Sequence, residues 1–135
     1  MTAAATAVGA TYARYADDLV LSGGAEFARR TNRFIPLAAA IVIDEGFSVQ
    51  FRKTRVMGRA QRQEVCGIVV NERPNLRRPA YDRLEAILTN CVRHGPSTQS
   101  QAPNQLRGYV AWVEAVSPHR AAKLRALYDR IDWSR

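Results

Sequence analysis

Apolar positions change their spacing twice along this chain, and each change marks a different kind of element. Thr11 to Tyr15 and Leu19 to Leu21 are short β-prone runs on either side of Ala16-Asp17-Asp18, which predicts a hairpin with two carboxylates at its tip, closed by Ser22-Gly23-Gly24. From Ala25 to about Glu45 the apolar residues Phe27, Phe34, Ile35, Ala38, Ile41 and Val42 recur at helical spacing, with Pro36 expected to kink or split the helix. Gly46 is placed to end it. Phe47, Val49 and Phe51 then alternate with Ser48 and Gln50, the pattern of a strand with one buried face. Val56-Met57 and Glu64 to Val70 read as further short strands, with Gly67 as a bulge or point of close backbone approach, and turn residues from Asn71 to Pro74.

The remainder is helical. Pro79 to about Arg93 carries Tyr81, Leu84, Ile87, Leu88 and Cys91 on one face, and His94-Gly95-Pro96 stops it. Asn104 is placed to cap a helix bearing Leu106, Tyr109, Val110, Val113 and Val116, and Ser117-Pro118 to start another that buries Leu124, Leu127, Tyr128 and Ile131. Trp112 and Trp133, among aliphatic neighbours at helical spacing, are expected in the core. The fold class is therefore α+β, with residues 1–74 as a mixed lobe and residues 75–135 as a three-helix lobe.

Composition adds a partner to this picture. Twenty basic residues against 12 acidic ones give a net charge of +8, and only Lys53 and Lys123 among the basic ones are not arginine. The planar guanidinium fork suits phosphate oxygens, so the surplus points to nucleic acid, against an ordinary solvated surface. Cys66 and Cys91 have no metal-site spacing and are expected to be buried thiols of a cytoplasmic protein. The Ala-rich opening lacks a basic leader and is too short to span a membrane, so neither export nor membrane insertion is expected.

The chemistry centres on Asp17 and Asp18. Adjacent carboxylates at a turn between apolar strands repel one another unless cations neutralise them, and Mg²⁺, which takes hard oxygen ligands and keeps several waters, is the natural one. The opposing reading is turn chemistry alone, since aspartate favours tight turns.

The context favours the first. Arg14-Tyr15-Ala16-Asp17-Asp18-Leu19-Val20-Leu21-Ser22-Gly23 resembles the catalytic hairpin of the reverse-transcriptase palm. Glu45-Gly46-Phe47 with Arg52-Lys53-Thr54 resembles the family's next palm motif, and Arg62 to Asn71 the strands leading to the thumb. Thr89 to Pro96 and Leu124 to Trp133 are similar to the thumb of bacterial retron-type enzymes, which typically have Val-Thr-Gly where this chain has Val65-Cys66-Gly67.

That resemblance implies a partial polymerase palm over residues 1–74 and a helical thumb over residues 75–135, acting as an RNA-directed DNA polymerase by two-metal phosphoryl transfer. Asp17 and Asp18 would hold catalytic Mg²⁺, with a further aspartate from outside the chain. Tyr15 and Ala16 would shape the hairpin beside the primer end and incoming nucleotide. Lys53 would lie near the triphosphate, if it is not simply a solvated loop charge beside Arg52 and Arg55. Gly67 would approach the primer, and Arg77, Arg78, Arg83 and Arg93 are candidate phosphate contacts, each weighed against a plain solvated face. The implied partners are an RNA template, a DNA primer and deoxynucleoside triphosphates, with a noncoding RNA or an upstream fingers-and-palm chain as further possibilities. The rival expectation is a non-catalytic nucleic-acid-binding or regulatory module on the same scaffold.

Overall fold

In the computed structural model, which describes residues 1–134, the carboxylate hairpin forms as two full strands. Strand β1 (Ala10–Tyr15) pairs antiparallel with β2 (Asp18–Gly23) in a register that runs from Ala10 opposite Gly23 to Tyr15 opposite Asp18. Only Ala16 and Asp17 remain for the turn, and Ala16 enters the left-handed region at φ 51°. A short helix, α1 (Thr2–Ala7), precedes the hairpin; the Ala-rich opening gave no sign of it, because alanine favours a helix without marking a buried face.

Helix α2 (Ala25–Asp44) follows and runs through Pro36 without splitting. Pro36 cannot donate to the carbonyl of Asn32, but Asn32 is exposed, so solvent can serve that carbonyl instead. The helix buries Phe27, Phe34 and Ala39, and the two rings meet edge-on with centroids 5.8 Å apart. Ala5 and Ala10 complete this small core with Phe27 and Phe34. Gly23 is where the hairpin touches the helix most closely: a Cβ there would lie 2.6 Å from that of Phe27. The C-terminus closes as a Schellman motif, Gly46 N–H donating to Ile43 O at 2.9 Å and Phe47 N–H to Val42 O at 3.0 Å, with Gly46 at φ 83°.

The strand expected at Phe47 to Phe51 is not formed. Residues 47–50 are irregular and lead into a 3₁₀ turn (Phe51–Lys53), with Phe47 and Phe51 exposed. Alternation specifies which face a strand would bury, but a strand also requires a neighbour for its backbone groups, and no ladder partner meets this one among the described residues. Val56-Met57 is likewise irregular.

The run from Glu64 to Val70 is a hairpin rather than a single strand. β3 (Glu64–Val65) and β4 (Ile68–Val69) flank Cys66 and Gly67, both at positive φ (49° and 80°), as two-residue turns of the I′ kind require. Gly67 is thus neither a bulge nor a point of close packing, since a Cβ on it would meet nothing within 4 Å. Cys66, expected to be buried, is exposed at this turn. Strand β5 (Asn75–Leu76) completes a three-stranded antiparallel sheet.

Three helices follow: α3 (Arg78–His94), α4 (Pro103–Val116) and α5 (Pro118–Tyr128). Leu84, Leu88 and Cys91 of α3, Leu106, Val110 and Val113 of α4, and Ala121 and Leu124 of α5 form one core, joined by Leu76 and Ile131. Asn104 lies inside the first turn of α4 instead of capping it. The cap falls on Ala102, whose N–H donates to Gln105 Oε1 at 3.0 Å. Ser117 does sit at the start of α5, without a side-chain cap bond. Trp112 and Tyr109, expected inside, are 44% and 53% exposed. Leu106, Val110 and Val113 already occupy the inward stripe, and Tyr109 and Trp112, three residues apart, share a different one. Trp133 does pack on the core, its ring 5.0 Å from that of Tyr128.

The chain divides into two compact units at 61/62, so the strands of residues 64–76 fall in the same unit as the three helices.

Candidate active site

Within the first unit, the hairpin turn is held by its own flank. Arg14 Nε donates to the carbonyl of Ala16 at 2.7 Å, and the same guanidinium lies 5.6 Å from the ring centroid of Phe47. These contacts fix a turn whose left-handed alanine costs about 1 kcal/mol or more, since Cβ crowds the following carbonyl there. Tyr15, Asp17 and Asp18 around it are all exposed, Tyr15 by 70%.

Asp17 and Asp18 line a cavity of about 320 Å³, and so do Lys53, Thr54 and Arg55 from the loop after the 3₁₀ turn. Its apolar wall comes from Leu19 and Leu21 of β2 and Ile35, Ala38, Ala39 and Val42 of α2, and Ser48 and Gln50 add polar groups. Folding therefore brings to one cavity two carboxylates and a lysine some 35 residues apart in sequence. Arg52, next to Lys53 in sequence, does not line it. The four charged groups leave one another alone: none of Asp17, Asp18, Lys53 and Arg55 makes an ion pair among the described residues.

As a metal site the donor set is hard oxygen throughout, which suits Mg²⁺, and two carboxylates on an open cavity leave room for water and phosphate ligands. No group of three or more His, Cys, Asp or Glu side chains that could hold a metal ion occurs among the described residues. Asp17 and Asp18 can therefore supply part of a coordination shell but not a closed cage.

The remaining candidates lie in the second unit. Gly67 stands at the open β3–β4 turn. Arg77 is committed to Glu64, donating from Nε to Oε2 at 2.7 Å and from its terminal nitrogen to Oε1, and that hydrogen bond and charge raise its pKa further. Arg62 also reaches Glu64, at 3.5 Å. Arg78 pairs with Asp82 one turn on, also at 3.5 Å. Arg83 is exposed and makes no ion pair among the described residues. Arg93 lines a shallow groove of about 340 Å³ along α3 with Asp82, Glu85 and Asn90. The four arginines are thus not equivalent: Arg77 and Arg78 face carboxylates of their own, whereas Arg83 and Arg93 make no ion pair among the described residues.

Sequence reasoning passed over Arg14 as a turn clamp and Arg55 as a cavity residue. Arg14 had a usable signal, a long donor two residues before a turn; Arg55 had none, because cavity lining depends on how the loop folds.

No family model matches the chain, and no solved structure matches it. Curated relatives do. The retron Mx65 reverse transcriptase of Myxococcus xanthus is 39% identical over 116 residues, covering 86% of this chain and 26% of that protein. The retron Mx162 reverse transcriptase of the same organism is 33% identical over 97% of this chain and 29% of its own length. The retron Ec86 reverse transcriptase of Escherichia coli is 24% identical over 92% of this chain and 37% of its own. The chain therefore spans well under half the length of the curated relatives it matches.

Proposed function

Because the chain belongs by sequence with the retron reverse transcriptases and corresponds to a C-terminal portion of them, we propose that it carries the catalytic hairpin of the palm, and the thumb, of an RNA-directed DNA polymerase. The observation that carries this reading is the meeting of Asp17, Asp18 and Lys53 on one cavity. In the full reaction the substrates are an RNA template with a DNA primer and deoxynucleoside triphosphates.

Asp17 and Asp18 are the residues that would hold Mg²⁺, which when bound supplies Lewis-acid stabilisation of the phosphoryl group and of the attacking and leaving oxygens. Arg14 holds the turn so that both carboxylates stay at the cavity rim, and Tyr15 offers an exposed ring beside them. Lys53 can stabilise the charge developing on the departing pyrophosphate, or give it a proton, tasks suited to an ammonium. Arg83 and Arg93, free of ion pairs among the described residues, are stronger candidates than Arg77 and Arg78 for a backbone phosphate, which positions a duplex without reading its sequence.

Such chemistry requires carboxylates from more than one strand, so on this reading the fingers and a further metal-binding aspartate come from another segment. Mixing the chain with the matching upstream portion of a close relative should give Mg²⁺-dependent extension of a primed RNA template, and neither part should do so alone. Asp17→Asn and Asp18→Asn should each abolish the restored synthesis while duplex binding persists. Extension by the chain unaided, or full activity of both variants after mixing, would overturn the assignment.

A further inference from the structure

The cavity beside the hairpin holds two kinds of charge that do not neutralise each other. Elsewhere the chain pairs its charges readily: Arg30 with Glu26 at 2.8 Å, Lys123 with Glu85 at 2.6 Å and Arg125 with Glu114 at 2.9 Å. Along this cavity Lys53 and Arg55 stand with Asp17 and Asp18, yet no ion pair forms between the two sets among the described residues. A lone exposed arginine decides nothing, since most are solvated. Arg55 differs from its neighbour Arg52 in one respect: it lines the cavity with the carboxylates and Arg52 does not.

A ligand matched to this arrangement carries a cation at one end and several anionic oxygens at the other. A divalent metal bound to a polyphosphate chain is such a ligand, with oxygens for two cationic side chains at once. Lysine offers a point charge to phosphate, whereas arginine offers a fork of parallel donors that can grip two oxygens. The 3₁₀ turn at Phe51–Lys53 is the local device, the one regular element within an irregular stretch, and Lys53, Thr54 and Arg55 line the cavity in succession from its end.

We propose that Arg55 is a second polyphosphate-binding residue of this cavity, gripping the β- and γ-phosphates of the metal-bound nucleotide together with Lys53. This rests on the reading of Asp17 and Asp18 as metal-holding residues and deepens it by assigning the anionic half of the same site.

The test is binding of inorganic tripolyphosphate to the intact chain by titration calorimetry, with and without Mg²⁺. Arg55→Ala should weaken binding about tenfold, the usual scale for losing a charge-assisted hydrogen-bond pair. Arg55→Lys should recover part of the loss, and Arg52→Ala, which removes the same charge from the same loop, should leave the affinity within about twofold of the parent. Circular dichroism on each variant verifies that the exposed substitutions leave the fold intact. Equal losses from Arg52→Ala and Arg55→Ala would reduce the effect to general charge and overturn the proposal, as would unchanged binding by Arg55→Ala or no binding by the parent chain at millimolar tripolyphosphate. Asp17→Asn with Asp18→Asn separates the two readings: loss of the Mg²⁺ enhancement supports the metal site, whereas an enhancement that persists in this variant removes the metal reading, and the loss caused by Arg55→Ala without Mg²⁺ tests the contact of Arg55 with phosphate by itself.

Discussion

Tyr81 and Arg120 hold each other twice. The guanidinium carbon of Arg120 lies 3.9 Å from the centroid of the Tyr81 ring, and the Tyr81 hydroxyl donates to the Arg120 carbonyl at 3.1 Å. Arg120 also donates from a terminal nitrogen to Asn75 Oδ1 at 2.9 Å, so one side chain joins β5, α3 and α5. Tyr81 is 6% exposed, which makes this the polar clasp of an otherwise aliphatic core.

Tyr81→Phe should lower the stability of the second unit by about 1 kcal/mol, one buried hydrogen bond, and Arg120→Ala by about 1–2 kcal/mol through loss of both the ring contact and the bond to Asn75. The Tyr81 hydroxyl bonds the Arg120 main chain, which Arg120→Ala keeps, and Tyr81→Phe keeps the ring under the guanidinium, so the two variants remove separate interactions and the double variant should lose about the sum. Urea unfolding of the four proteins measures this, and a loss well below the sum would contradict it.

Gly23→Ala should cost about 1–3 kcal/mol, because its new methyl meets Phe27 at a distance that real carbon atoms do not reach, and Phe27 is buried and cannot swing away. Gly24→Ala, with open space over it, serves as the control, and thermal unfolding should separate the two.

Ala16→Gly acts in the other direction. Removing Cβ from a residue at φ 51° relieves the left-handed penalty, partly offset by greater freedom of the unfolded chain, for a net gain of about 0.5–1 kcal/mol. A lower melting temperature would show that the alanine methyl makes a favourable contact there instead.

Hydrogen exchange should rank the two units. The first unit's core consists of two alanines and two phenylalanines with partly buried neighbours, whereas the second packs aliphatic residues from three helices around Leu88, Leu106 and Leu124, each 0% exposed. Amides of β1 and β2 should therefore exchange faster than those in the middle of α3 and α4. Equal protection would mean that the hairpin draws stability from something other than its own core.

How far the sequence speaks depends on whether a signal is local. The Ala16-Asp17 turn, the Schellman close at Gly46 and the stripe of Leu106, Val110 and Val113 are each set by residues within one turn or one hairpin, and they read directly. Phe47 to Phe51 failed because alternation says which side would be buried and nothing about whether a neighbouring strand exists. Trp112 failed because aromatic bulk was weighed above helical phase. At the site, the carboxylates and Lys53 were legible as motifs, but their meeting on one cavity, and the inclusion of Arg55 without Arg52, come from the path of the loop. The relatives, with Val65-Cys66-Gly67 in place of the usual triplet no bar to the match, set the family where periodicity set only the fold class.

The hairpin turn at Cys66 has a practical corollary. Its thiol is exposed, whereas Cys91 is 1% exposed and burial pushes its thiol pKa up. Thiolate is the reactive form, so an alkylating reagent near neutral pH discriminates between the two sulfurs without any substitution. The native chain thus carries a single addressable handle, on a two-residue turn whose geometry is known, from which a fluorophore or spin label can follow the second unit.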